Sequence, residues 1–205
     1  MLTHNLLTVL TGWVFPTWMC FVCRLYADDT QVYGSYPPAA VATLSSQVTE
    51  CADDIATWMK SNKLQLHPDK TEVLWCATSR RQHQLPSIGM PFDSVHITPV
   101  KSVRDLGINI DVDLSMRMHV KKTVSCCFAA LRQLRQIRRY VPTSTLQKLV
   151  VALVNSRLDY GNGVSVGIPA HHLMRRLQSV LNSAARLIFN LKRSDHITDA
   201  LVSLH

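Results

Sequence analysis

The sequence predicts an α+β first half and an all-helical second half. Short runs rich in β-branched and aromatic residues cluster before Asp113, separated by turn residues and by one helical stretch. After Asp113 the apolar residues recur at helical spacing, with breaks at Pro142, Gly161, Gly163 and Pro169. Charge divides at the same place. Met1 to Asp113 holds 8 Lys/Arg against 11 Asp/Glu, whereas Leu114 to His205 holds 14 against 3. Strands mixed with a single helix, followed by helices alone, make an α+β unit and a helical unit.

Residues 1–19 read as a divergent apolar leader, with Leu6, Leu7, Val9, Leu10, Trp13, Val14, Phe15 and Trp18. No Lys or Arg precedes Arg24, Gly12 and Pro16 interrupt the run, and no small-residue cleavage site follows, so a signal peptide is not expected. The stretch is also too short to span a bilayer. Phe21 to Leu25 and Thr30 to Tyr33 flank an Ala-Asp-Asp turn and predict a β-hairpin. Pro37 and Pro38 open a helix in which Val41, Leu44, Val48, Cys51, Ile55 and Trp58 share a face that should cover the sheet. Leu64 to Leu66 and Thr71 to Cys76 predict strands around a His-Pro-Asp turn, and Ile97 to Val100 with Asp105 to Ile110 a further pair.

Val120 to Tyr140 predicts a long basic helix with an apolar stripe of Val124, Cys127, Phe128, Leu131, Leu134 and Ile137, ended by Pro142. Thr143 is placed to cap the next helix, Thr145 to Leu158. Another runs from Ala170 to about Leu191, with Leu173, Leu177, Val180, Leu181, Ala184 and Leu187 facing inward, and a short last helix starts near Ile197.

Between Leu114 and Leu158 there is no acidic residue, yet nine basic ones. A solvated helix face usually mixes signs, so this run predicts a surface for a polyanion. Lys121, Lys122, Arg132, Arg135, Arg138 and Arg139 are the candidates to neutralise phosphates. Nucleic acid is the expected partner. An anionic membrane surface, which the same charge would suit, is the alternative, although no membrane association is predicted. Of the six cysteines, Cys20 and Cys23 have the spacing of half a zinc site whose second half is missing, so reduced thiols without disulfides are expected. That usage fits an intracellular chain, cytoplasmic or nuclear, and not a secreted one.

Asp28 and Asp29 are adjacent carboxylates at a turn. Forced together they repel unless a divalent cation lies between them, and hard oxygen ligands favour Mg²⁺. A solvated Asp-Asp turn is the plainer reading of the same dipeptide.

Four blocks in order extend that observation: Leu25 to Tyr33 with its Tyr26-Ala27-Asp28-Asp29 core; Trp58 to Glu72, ending in Lys70-Thr71-Glu72; Val103 to Asp111; and Ser156 to His205, with Asp159-Tyr160-Gly161 and Asp195-His196-Ile197-Thr198. From about Cys20 onward the chain resembles the reverse transcriptase of a non-LTR, LINE-type retrotransposon. The resemblance implies a partial polymerase palm over 20–113 and a basic helical thumb with its following helices over 114–205. It further implies RNA-directed DNA synthesis by two-metal phosphoryl transfer, with an RNA template, a DNA primer and dNTP as partners and Mg²⁺ (or Mn²⁺) as cofactor.

By the same resemblance, Asp28 and Asp29 are metal ligands and catalytic, Lys70 approaches the departing phosphates, Tyr26 packs beside the incoming nucleotide or primer terminus, and Gly107 lets backbone pass close to the primer. Each of the last three has a plainer reading: a solvated lysine, a cross-strand packing residue and a bulge. The family also places an aspartate on an upstream strand, and Met1 to Ala27 contains no Asp or Glu. The chain is therefore expected to be a fragment, inactive alone. The alternative is a non-catalytic nucleic-acid-binding remnant that uses the basic helices. The sequence sets no oligomeric state.

Overall fold

Residues 3–11 of the apolar leader form the middle of the largest sheet. In the computed structural model, which describes residues 3–11, 22–26, 29–35, 40–87, 89–92, 95–161 and 171–202, Thr3–Thr11 is strand β1. It pairs in parallel with β3 (Asp29–Ser35) along one edge, and with β4 (Gln65–Leu66) and β5 (Glu72–Cys76) along the other. Strand β2 (Val22–Tyr26) joins β3 as an antiparallel hairpin and closes that side of the five-stranded sheet. A strand inside a parallel ladder favours a continuous apolar run, and Leu6-Leu7-Thr8-Val9-Leu10 has that character.

The chain divides into two compact units, Met1–Ser115 and Met116–His205. In the first, alternation along the strands sorts side chains between two faces. Val32, Val73 and Trp75 pack against Leu44, Val48 and Ala52 of helix α1 (Val41–Ser61) and against Met90, Phe92 and Ile97. Those last three belong to the hairpin β6 (Met90–Phe92) and β7 (Val95–Ile97). Leu74 and Cys76 turn the other way, to Val103 and the half-buried Tyr33, Ile110 and Val112. Val103 and Ile110 pair across a second hairpin, β8 (Ser102–Asp105) and β9 (Ile108–Asp111), so both faces of the sheet are covered.

Three details depart from the sequence reading. Trp58 is 59% exposed, because Met59, one residue on, takes the inward position after Ala52 and Ala56. The helix then ends with Lys63 in the left-handed region (φ 58) and Leu64 N–H donating to Met59 O at 2.9 Å, a Schellman closure built without glycine. Thirdly, Asp105 to Ile110 is not one strand paired with Ile97 to Val100. Leu106 and Gly107 both have positive φ, 44 and 85, as a two-residue type I′ turn requires, and the segment folds back on itself.

Every regular element among the second unit's described residues is helical. Helix α2 (Arg117–Ile137) is followed by α3 (Thr143–Val150), a π-helical turn (Val151–Asn155), α4 (Ser156–Asp159), α5 (His171–Phe189) and α6 (Thr198–Val202). Val124, Cys127, Leu131 and Leu134 of α2 share a core with Leu146, Val150, Val154, Leu173, Val180, Ala184 and Leu187. Each such aliphatic side chain removed from water contributes about 1.5–3 kcal/mol. Ile137, expected inside, is 40% exposed because the helix ends there, beyond Leu134, the last buried residue of α2. Pro142, not Thr143, stands at the N-cap of α3, its fixed φ leading directly into the first turn. Asn190 (φ 57) closes α5, with Leu191 N–H donating to Arg186 O at 3.1 Å. No helix among the described residues is long and apolar enough to cross a membrane.

Candidate functional site

Asp28 lies outside the described residues. Asp29 is the first residue of β3, half-buried and paired in register with Tyr26, the last residue of β2. Tyr26 is 63% exposed, so little of its ring is covered by cross-strand packing. Alternation along β3 puts Asp29, Gln31 and Tyr33 on one face, the face covered by the β8–β9 hairpin, and Thr30 and Val32 on the other.

On the hairpin side a polar chain crosses from strand to hairpin. The Tyr33 hydroxyl donates to Gln31 Oε1, and Gln31 Nε2 donates to Asp105 Oδ1 at the end of β8. Gln31 is buried, 4% exposed, and both ends of its amide are satisfied within this chain. Burial, and then the neighbouring Asp29 carboxylate, push the Asp105 carboxyl above its ordinary range. The Tyr33 phenol is pushed up by burial and by Asp105, against the opposing pull of Arg24. Arg24 stands directly across from Gln31 on β2 and is exposed. Asp105 is thus a carboxylate near enough for its charge to be opposed by that of Asp29, a role not assigned to it from sequence, since the approach of distant segments leaves no local spacing to read.

The other expected residues are dispersed. Lys70 ends the 3₁₀ turn Pro68–Lys70 and is exposed. Gly107 lies two residues beyond Asp105, where the turn geometry by itself demands a residue free to adopt positive φ. Two carboxylates, Asp29 and Asp105, supply hard oxygen donors of the kind Mg²⁺ takes. Among the described residues no group of three or more His, Cys, Asp or Glu is arranged to hold a metal ion. Cys51, Cys76, Cys126 and Cys127 are reduced thiols; the side chains of Cys20 and Cys23 lie outside the described ones.

The basic residues of α2 fall into a narrower pattern than their number suggests. At 100° per residue, Arg117, Lys121, Arg132 and Arg135 lie within an arc of about 60°, along one flank of the solvent side beside the buried stripe, and all four are exposed. Arg139, also exposed, follows in the turn after the helix. Lys121 to Arg135 spans about 21 Å along the axis. Lys122 is exposed further round the cylinder. Arg138 is engaged differently, its guanidinium donating to Asn190 Oδ1 and joining the end of α2 to the end of α5. Helix α5 adds Arg175 and Arg176, both exposed, which the sequence reading had not singled out because they fall outside the acid-free stretch.

No family profile, curated protein or solved structure matches the chain.

Proposed function

We propose that the chain is the C-terminal palm-and-thumb portion of a non-LTR retrotransposon reverse transcriptase, and that by itself it grips nucleic acid by the backbone without copying it. The row of exposed Arg and Lys along one side of α2, in a stretch with no acidic residue, supports this reading most directly. Such a row neutralises successive phosphates with no regard to base, which suits a protein that must move along a template. The four ordered sequence blocks support the family, and the Tyr26–Asp29 hairpin supports a role for Asp28 and Asp29 in holding Mg²⁺ (or Mn²⁺), with Asp105 as a further oxygen donor. A pair of such ions, when bound, would activate a primer hydroxyl and steady the leaving phosphates.

Binding of an RNA·DNA hybrid, followed by fluorescence anisotropy, tests the grip. With four or five phosphates neutralised, affinity should fall about 10²–10³-fold between 50 and 200 mM salt. Replacing Arg132 and Arg135 by Ala should weaken binding and flatten the salt slope by about two. Salt-insensitive binding would overturn the proposal. Primer extension on an RNA template with Mg²⁺ or Mn²⁺ addresses the second half. Incorporation that disappears in Asp29→Ala would show a working polymerase instead of an inert portion of one.

A further inference from the structure

We infer that the C-terminal end of α2 seats an unpaired nucleotide, with Tyr140 as its stacking surface; the inference rests on the reading of α2 as a backbone-binding helix. Tyr140 is 84% exposed, the most exposed large hydrophobic side chain among the described residues. Its backbone is nevertheless held. The Tyr140 N–H donates to Ile137 O at 2.9 Å, closing the turn, and Arg138 within that turn is tied to Asn190. Pro142 stiffens the chain two residues later. An aromatic ring displayed on a fixed turn loses little entropy when something settles on it, whereas the ring gains nothing from the fold.

The surroundings specify what would settle there. Arg135, one turn earlier, and Arg139, within the turn and next to Tyr140, are exposed, and no carboxylate occurs in the sequence from Leu114 to Leu158. Ile137 and Phe189 are 40% and 38% exposed, and the Arg138–Asn190 bond brings Asn190, the neighbour of Phe189, to this end of α2. Cations for a backbone beside an aromatic face for a base are the two components by which proteins hold single-stranded nucleic acid. A duplex buries its base faces in its own stack, so the ring has a use only where a strand end, a gap or an overhang frees a base. An interfacial membrane helix would instead present a broad apolar face, and Tyr140 directly follows Arg138 and Arg139.

The full chain, its Tyr140→Ala variant and its Tyr140→Phe variant should be titrated against an oligothymidylate and a blunt duplex of equal phosphate number, with a 2-aminopurine reporter in a second single strand. Tyr140→Ala should lose about tenfold in single-strand affinity and keep duplex affinity within about twofold. Tyr140→Phe, which keeps the ring, should match the parent, and reporter quenching should persist in Phe and vanish in Ala. Unchanged single-strand affinity in Tyr140→Ala would overturn the inference and leave the backbone grip standing. Equal losses on both ligands would overturn it as well. So would a Tyr140-dependent attachment to phosphatidylserine vesicles without a single-strand effect. Salt-insensitive binding by the parent chain would instead sink the grip itself.

Discussion

Gln31 donates its side-chain amide to the carboxylate of Asp105, joining β3 to the end of β8 across 74 residues of sequence. The bond fixes how the β8–β9 hairpin lies on the sheet, and it holds Asp105 where the charge of Asp29 opposes its own. A carboxyl so placed is easier to protonate in the fold than in the unfolded chain, because burial and the Asp29 charge both disfavour its ionised form.

The pH dependence follows. The folded state holds the Asp105 proton more tightly than the unfolded chain, so this group's contribution to stability is fully present below the ordinary aspartate value of about 3.9. It is lost as pH rises through the elevated folded value. Asp105→Asn keeps an oxygen to accept from Gln31 and removes the charge. Urea unfolding should give the variant a higher midpoint than the parent at pH 7 and the same midpoint at pH 3. A lower midpoint at pH 7 would mean that the ionised carboxylate is wanted where it is.

Gly107 should be costly to replace. At φ 85 it occupies the second place of the β8–β9 turn, and a Cβ there meets backbone strain of about 1–2 kcal/mol. Gly107→Ala should lose that much in urea unfolding, and Gly107→Asn less, since asparagine tolerates the left-handed region. Equal losses in the two would argue against turn strain as the cause.

The cysteines should separate by reactivity. Cys76 is completely buried, and burial together with Asp113 pushes its thiol up to about 12. Burial also pushes up the Cys127 thiol, whose sulfur lies 3.9 Å from Val154 O. Neighbouring Cys126 is exposed. Iodoacetamide at pH 8 should label Cys126 in the folded protein and reach Cys76 and Cys127 only in denaturant, as peptide mass spectrometry would show. Labelling of Cys127 at the rate of Cys126 would contradict the packing of α2 described above.

Much of this architecture was legible before any coordinates. The β2–β3 hairpin and helices α1, α2 and α5 followed from turn residues and from apolar spacing, which depend on neighbours in sequence. Strand β1 did not, because a continuous apolar run looks the same in a buried parallel strand, a buried helix segment and a leader. The turn at Leu106-Gly107 was not legible from spacing, because a leucine at positive φ is unusual and gave no turn signal of its own; a hairpin over Val103 to Asp111 was implied only by the family resemblance. At the candidate site, Asp29 could be picked from its doublet. Asp105, whose charge it opposes, could not, since only the folding of one distant hairpin onto the sheet brings the two charges within reach.

The position of β1 also bears on how the protein is made. In chain order β1 precedes β5 by more than sixty residues, so during synthesis the strand must wait for β5 before both of its edges can be paired. Until Cys76 has emerged, one of its edges has no β5 to pair with. Such an exposed apolar edge is prone to stray association. Slow synthesis of the stretch between β1 and β5 should therefore be the stage at which this chain is lost to aggregates, and the helical unit, built from nearer contacts, the part that folds most readily once synthesised.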